Sequence, residues 1–242
     1  MENSSSQIVQ GIPVSAVTPY LDFNAFLDTI SEFAFIEEIS FNDFAKPPLK
    51  YYLMIGESRF LKIEEMAEEE TTGERYSTPN CKRFKLRGTY YPTGTKETAV
   101  PVFILHKTFT CCCNFKDYCL QAELETNKGK FMGTVVHLNK GCYEIHQQIQ
   151  IDNEEPLLLD TVGSHTEICC KGIEATEIPF TLKKGDKQVG DFTKKSAGMR
   201  ENIMGMAYYE CKLNQSLHWK QKLMSIIGIV TANIICFAND KH

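Results

Sequence analysis

The feature that most constrains the fold is an apolar segment near the end of the chain, from residue 223 to residue 238. Its sixteen residues include only three polar side chains, Ser225, Thr231 and Asn233, which a helical wheel places on different faces. A helix that is apolar on every side is buried in protein or in lipid. At about 1.5 Å per residue the segment spans about 24 Å, less than the roughly 30 Å of a bilayer core, so length alone does not decide between them.

The chain before this segment has the pattern of β-strands. From about residue 50, apolar and polar residues alternate in short runs, as in Leu120, Ala122 and Leu124. Strict alternation is typical of strands that are buried on one face. Turn sequences separate the runs at hairpin spacing, for example at residues 127–130 and 184–187. The pattern predicts about ten to twelve antiparallel strands.

These two features predict a mainly β protein with a C-terminal helix at about residues 216–238. A barrel of about a dozen strands is too wide for its own side chains to fill, and a central apolar helix fills it. We favour this buried helix; a helix that crosses a bilayer, with Lys220 and Lys222 reaching the interface, remains the alternative. The apolar residues that face either environment are Leu223, Ile226, Ile227, Val230, Ile234 and Phe237.

The composition is that of a folded protein whose charge is unevenly distributed. Of the 242 residues, 43% are apolar and 24% are charged, which excludes a disordered or low-complexity chain. The net charge of −5 argues against a dedicated nucleic-acid binder, which usually has a basic domain. Residues 1–80 carry 14 acidic and 5 basic side chains, whereas residues 171–222 carry 6 acidic and 10 basic ones. A basic region beside an apolar segment suits an anionic membrane surface.

The amino terminus lacks the features of a secretory signal or of N-myristoylation. It has no basic region followed by an apolar one, and Glu2 stands where myristoylation needs glycine. We therefore expect a cytosolic chain without stable disulfides among its ten cysteines. Residues 1–20 are predicted to be a flexible head, and residues 21–242 a single domain.

Several ordered motifs resemble the phospholipid scramblase family. The first is a cysteine cluster that ends in Cys-Leu-Gln at the head of a strand, and the last is the apolar terminus preceded by Lys220 and Lys222. Between them the order and spacing of glycine and cysteine elements are also similar. The quoted elements are Cys111-Cys112-Cys113, Cys119-Leu120-Gln121, Gly133-Thr134-Val135-Val136, Cys142, Gly163, Cys169-Cys170-Lys171-Gly172 and Val189-Gly190-Asp191-Phe192-Thr193-Lys194.

The resemblance implies a tubby-like fold, a closed antiparallel barrel of about twelve strands around the C-terminal helix. It also implies energy-independent, bidirectional movement of phospholipids between leaflets, usually activated by calcium. The family's calcium-binding carboxylates fall here on Gly205, Ala207, Ser216 and His218, none of which can supply a carboxylate ligand. Because calcium prefers six to eight oxygen ligands, we expect weak or no calcium binding and assign no metal site.

The cysteine cluster of Cys111, Cys112, Cys113 and Cys119 has three interpretations. The resemblance implies S-palmitoylation, and more than one acyl chain would give stable membrane anchoring. The second interpretation is a metal site, but the cluster lacks the paired C-x2-C spacing that zinc sites use. Cys169 and Cys170 would add ligands if they lay nearby. The third interpretation is small apolar thiols packed at a barrel end.

A set of basic residues late in the chain suggests contact with anionic lipid. Each basic side chain near the membrane surface contributes about 1 kcal/mol to the binding free energy. The equally weighted alternative is a strand edge protected by lysines. A nuclear-import role is a further interpretation of the same residues. The set comprises Lys183, Lys184, Lys187, Lys194, Lys195 and Arg200.

The sequence contains no hydrolase elbow, nucleotide-binding loop or zinc-protease motif, and we assign no catalytic residue. The resulting hypothesis is a phospholipid scramblase at the cytoplasmic face of the plasma membrane, with a cytosolic or nuclear pool, whose partners are phospholipids of the anionic leaflet. The alternative is a tubby-like lipid- or protein-binding adaptor that has lost calcium-activated scrambling. A cysteine-dependent enzyme is the third class, and no catalytic cysteine–histidine motif supports it.

Overall fold

The structure, a computed structural model, covers twelve strands and two helices in the part of the chain that it describes. The described residues are 22–38, 49–66, 84–94, 98–107, 119–125, 130–138, 146–161, 177–195 and 208–236, with the backbone alone at 119, 235 and 236. The predicted head, residues 1–20, lies outside them. The elements are α1 (Phe23–Thr29), β1 (Glu32–Glu37), β2 (Lys50–Ile55), β3 (Ser58–Glu65), β4 (Phe84–Tyr90), β5 (Val100–Lys107), β6 (Cys119–Leu124), β7 (Lys130–His137), β8 (His146–Ile151), β9 (Leu157–Thr161), β10 (Glu177–Lys184), β11 (Lys187–Lys195), β12 (Tyr208–Leu213) and α2 (Trp219–Cys236).

The twelve strands form a closed antiparallel barrel. Each strand pairs with its neighbours in the sequence, and β1 pairs with β12, where Ala34 lies opposite Glu210. This pairing closes the sheet and leaves no unpaired edge strand. The barrel of about twelve antiparallel strands around the C-terminal helix, as expected from the sequence, is confirmed.

The alternating sequence pattern determines which side chains fill the barrel. On β4, for example, Phe84, Leu86 and Tyr90 are buried, whereas Lys85 and Arg87 are only partly buried. The same alternation recurs on most of the strands, because successive side chains point to opposite faces of a sheet. The inward faces therefore form one continuous apolar core around α2.

Helix α2 occupies the centre of this core. Leu223, Ile226, Ile227, Val230 and Ile234 are at most 1% exposed, which confirms the buried helix for the predicted residues that the structure describes. Phe237 lies outside the described residues. Among the described residues no helix has the length and hydropathy of a membrane span.

The helix begins at Trp219, later than the predicted start near residue 216. Residues 214–217 form a turn instead, in which the Ser216 amide donates to Asn214 Oδ1 at 2.9 Å and the Leu217 amide donates to the Asn214 carbonyl at 3.1 Å. His218 then takes the place of a helix cap, since its Nδ1 accepts from the Lys220 amide at 3.2 Å. These local hydrogen bonds satisfy amides at the start of the helix that have no partner within it.

The two ends of the barrel differ in their connections. At the turn rim, short turns at residues 56–57, 152–156 and 185–186 join consecutive strands, and residues 214–218 lead into α2. The distal rim is formed by the opposite strand ends, which are Glu37, Lys50, Glu65, Phe84, Lys107, Cys119, His137, His146, Thr161, Glu177, Lys195 and Tyr208. Helix α2 enters at the turn rim and runs towards the distal rim.

Helix α1 packs at the turn rim and is attached there to α2. Phe26 stacks on Phe60 with ring centroids 4.9 Å apart and also contacts Tyr90. Lys222 of α2 is fully buried, and its Nζ donates to the carbonyl oxygens of Asp28 and Ile30, both at 2.7 Å. Desolvation lowers the pKa of Lys222, while nearby Asp28 acts in the opposite direction. Lys222 therefore holds the end of α1 and does not extend towards a lipid interface.

We expect the substitution Gly133→Ala to destabilise the barrel. A Cβ at Gly133 would overlap the backbone carbonyl oxygen of Gln150 on β8 and would lie 3.0 Å from Met224 of α2. Such overpacking costs about 1–3 kcal/mol in the free energy of unfolding, measured by urea denaturation. Thr134→Ala, one residue along the same strand, is the matched control, with an expected change within about 0.5 kcal/mol. Equal stability of the two variants would contradict the close approach of β7 and β8 at Gly133.

Candidate functional site

The predicted palmitoylation sites can be placed only in part. Cys111, Cys112 and Cys113 lie outside the described residues. Cys119 begins β6 at the distal rim, and its side chain is not described. The chain between Lys107 and Cys119 connects two strand ends of that rim.

The predicted lysines do not form one patch. Lys183, Lys184 and Lys187 lie where β10 and β11 meet at the turn rim, with Lys184 directly opposite Lys187. Lys194 and Lys195 lie at the other end of β11, and this nine-residue strand separates Lys187 from Lys195 by about 26 Å. Arg200 lies outside the described residues.

The charge of Lys195 is already paired. Its Nζ lies 2.5 Å from Glu177 Oε1 and 3.3 Å from Glu210 Oε2, so one lysine links β10, β11 and β12. The hydrogen bond that Lys195 donates to Glu177, together with the weaker effect of the one to Glu210, raises the pKa of Lys195. At the turn rim, Lys183 lies 3.9 Å from Asp160. Lys195, at the opposite end of β11 from Lys187, therefore has an acidic partner on each neighbouring strand.

The interior of the barrel changes character along its axis. Towards the turn rim the inward side chains of the described strands are apolar, as at Phe33, Leu61 and Leu213. Towards the distal rim, a set of polar side chains points inward, and each is at most 7% exposed. We name this set the polar layer; it comprises Glu37, Lys107, His137, Gln147 and Asn233. Buried polar groups of this kind require hydrogen-bond partners.

Asn233 connects the helix to three strands within the polar layer. Its Oδ1 accepts from the Tyr209 hydroxyl at 2.7 Å, and its Nδ2 donates to Glu37 Oε2 at 3.1 Å. The same Nδ2 lies 3.4 Å from the Tyr51 hydroxyl. Because these partners come from β12, β1 and β2, the network fixes the rotation and depth of α2 at the point where the barrel closes.

Gln147 on β8 holds the opposite side of the helix. In the amide orientation that satisfies both of its polar groups, Nε2 donates to the Gly228 carbonyl at 2.9 Å and Oε1 accepts from the Ala232 amide at 3.1 Å. Gly228 permits this close packing, since a Cβ there would lie 2.8 Å from Ile149 of the same strand. We name Gln147, Gly228 and Ala232 the glutamine clamp.

His137 lies directly opposite Gln147 on β7. It is 7% exposed, and its Nδ1 has no hydrogen-bond partner among the described residues. Burial, together with the nearby His146, lowers the pKa of His137. The ring is therefore held neutral inside the barrel at pH values where an exposed histidine begins to take up a proton.

His146 lies on the outward face beside this region. Its Nδ1 contacts Asp160 Oδ1 on β9, and Asp160 also faces Lys183. The described residues contain no group of three or more histidine, cysteine, aspartate or glutamate side chains placed to hold a metal ion. Burial raises the pKa of the Cys211 thiol well above its usual value, which keeps this cysteine protonated and unreactive.

Searches of protein-family models, of curated proteins and of solved structures found no match to this chain. The candidate site therefore rests on the geometry of the barrel interior and rims.

The polar layer was not predicted from the sequence. Of the two histidines near the distal rim of β7 and β8, His137 points inward and His146 does not. One sequence signal did exist at Gln147, which shares the alternation phase of Ile149 and Ile151 and so falls on the buried face of its strand. A polar residue in the apolar phase of a strand indicates a buried hydrogen-bonding role.

Proposed function

We propose that this protein is a phospholipid scramblase that acts at the cytoplasmic face of the plasma membrane. The observation that supports the proposal is the closed twelve-strand barrel around an apolar C-terminal helix, the architecture that the resemblance to the scramblase family implies. Scrambling needs no covalent chemistry, because the barrier is the passage of a polar headgroup through hydrocarbon. The proposed lipid attachment at Cys111, Cys112, Cys113 and Cys119 would anchor the protein to the membrane.

A second candidate is a tubby-like adaptor that binds lipid or protein without moving lipid across the bilayer. The enclosure of α2 favours it, because Val230 and Ile234 pack against strands and are at most 1% exposed. The network at Asn233 and the buried Lys222 attach the helix to the barrel at both ends. A helix held in this way offers lipid no apolar surface unless the barrel opens.

The two candidates differ in a reconstituted assay. Purified protein is incorporated into liposomes that contain a fluorescent phospholipid, and dithionite is added from outside. Scrambling predicts bleaching beyond the outer leaflet, with or without calcium. Bleaching that stops at the outer leaflet, together with flotation of the protein on anionic liposomes, would reject the scramblase and favour the adaptor.

The separation of the lysines gives a sharper prediction for membrane contact. We expect Lys184→Glu combined with Lys187→Glu to lower binding to phosphatidylserine liposomes about thirtyfold or more, since each lysine contributes about 1 kcal/mol of binding free energy near the surface. Lys195→Gln removes a charge at the opposite rim and should leave binding within about twofold, because Glu177 and Glu210 already pair with this charge. Binding is measured by flotation at low and at physiological salt.

The same experiment reports the orientation of the barrel. Loss of binding in the Lys184/Lys187 variant places the turn rim, or the β10–β11 hairpin lying along the membrane, at the lipid surface. Loss in the Lys195 variant alone would contradict the prediction and place the distal rim there.

A further inference from the structure

We propose that His137 and the glutamine clamp form a proton-sensitive lock that holds the distal half of α2 in the barrel and loosens it when His137 takes up a proton. The proposal concerns the barrel itself and does not depend on the proposed membrane function. It rests on the placement of one buried histidine beside one buried amide that is bonded to the helix backbone.

The placement follows from the register of two neighbouring strands. His137 and Gln147 are direct partners in the β7–β8 ladder, and both are buried on the inward face. Side chains opposite each other in antiparallel strands have Cβ atoms about 4.5–5.5 Å apart. The Gln147 amide is therefore the adjacent polar group on β8 that faces His137 inside the barrel.

The clamp uses both polar groups of the Gln147 amide. Oε1 accepts from the Ala232 amide and Nε2 donates to the Gly228 carbonyl. A protonated His137 donates from both ring nitrogens and needs an acceptor for Nδ1, which has no partner among the described residues. The adjacent acceptor is Gln147 Oε1, so a proton on His137 competes with the Ala232 amide for the same oxygen.

The charges near His137 do not offer another acceptor in the described part of the chain. On β8, His146 is the neighbour that acts on it, and His146 is itself paired with Asp160 of β9 on the outward face. Asp160 also faces Lys183 of β10. On α2, the nearby clamp positions Gly228 and Ala232 carry no charge. On β6, the inward residue Leu120 is apolar and fully buried.

The direction of the pH effect follows from proton linkage. In the closed barrel the pKa of His137 lies below its usual value of 6.5, because burial disfavours the charged ring. In an opened state, where water reaches the ring, the pKa returns to that usual value. The opened state then binds more protons than the closed state as the pH falls below 6.5, so acid favours opening. For one proton, the equilibrium constant for opening rises by at most about tenfold per pH unit.

Hydrogen exchange of the intact protein tests the lock. Amide exchange is followed by mass spectrometry at about pH 7.5 and about pH 5.5, with correction for the intrinsic exchange rate, because histidine changes charge across this interval. Protection of peptides that cover residues 226–236 should fall severalfold at the lower pH. Protection of the β10–β11 hairpin should change much less, since it lies outside the clamp.

Four variants distinguish the lock from a general loss of stability. His137→Gln cannot titrate and should abolish the pH response of α2, and His137→Phe provides a second non-titrating variant should one of them fail to fold. His146→Gln, the outward neighbour, should retain most of the wild-type response, because burial is the larger cause of the lowered pKa of His137. Gln147→Leu should lower the protection of α2 at both pH values and remove most of the difference between them.

The proposal is overturned by any of three results. The first is an unchanged pH response of α2 in His137→Gln or His137→Phe. The second is a wild-type protein whose α2 protection is the same at both pH values. The third is an equal loss of protection throughout the barrel, which would indicate global destabilisation.

Discussion

Val230→Asp is expected to prevent formation of the folded barrel. Val230 is fully buried near the middle of α2, and the core around it is apolar. An uncompensated carboxylate at such a position lowers the free energy of unfolding by about 4 kcal/mol or more. This loss is comparable with the whole free energy of unfolding of many domains. Soluble expression, near-ultraviolet circular dichroism and thermal unfolding measure the effect.

Val230→Thr is the matched control for this substitution. Threonine has nearly the same shape as valine, and in a helix its hydroxyl donates to the carbonyl four residues earlier, as Thr231 does to Ile227 at 2.8 Å. We expect a loss of about 1–2 kcal/mol and a folded protein. A Val230→Asp protein that unfolds at the wild-type temperature would show that this face of α2 is not enclosed.

Lys222→Glu should be the most damaging change at the turn rim. The Lys222 ammonium donates to the carbonyl oxygens of Asp28 and Ile30, and glutamate would place a carboxylate against these two acceptors. Removing the donor and burying an opposite charge costs about 3–5 kcal/mol, so the midpoint of urea unfolding should shift strongly. Limited proteolysis should also cleave near α1 first, because that helix loses its attachment to α2.

Lys220→Glu is the control with the same charge change two residues away. Lys220 is only partly buried and lies 5.7 Å from the Trp219 ring. Its replacement should lower the free energy of unfolding by no more than about 1 kcal/mol, because a single exposed interaction contributes no more than that. Equal destabilisation by the two substitutions would mean that the effect is one of net charge and not of the bonds to α1.

The buried polar groups explain how an apolar helix acquires a single position in the barrel. Apolar packing alone tolerates many rotations of a helix, because its residues are similar in size and chemistry. Asn233 and Gln147 make hydrogen bonds that are satisfied in one rotation, and leaving such groups unpaired costs about 1–3 kcal/mol each. Buried polar residues of this kind trade some stability for a specified arrangement.

The local pattern was sufficient to predict the strands and the helix, but not the candidate site. Alternation places Leu86 and Leu105 inward whatever their partners are, because neighbouring residues of a strand face opposite sides. The role of His137 depends on Gln147 across the ladder and on Gly228 in a distant helix. Such relations are invisible to any single stretch of sequence.

The separation of the predicted lysines has the same origin. Lys187 and Lys195 are close in the sequence, and in a helix they would be little more than two turns apart. In β11 they stand at opposite rims of the barrel, because an extended strand rises about 3.3 Å per residue. Pairing of Lys195 with acids on both neighbouring strands then depends on the register of β10, β11 and β12.

The amino-acid sequence by itself determined the repeated two-residue period of the strands and the apolar character of the terminal helix, since both follow from local geometry and solvation. Only the tertiary structure decided where that helix lies. The pairing of β1 with β12 joins residues about 175 positions apart and closes a cylinder that removes the helix from water. It also brings Lys222 to Asp28 and Asn233 to Glu37, because contacts between distant parts of a chain arise only when the barrel is closed.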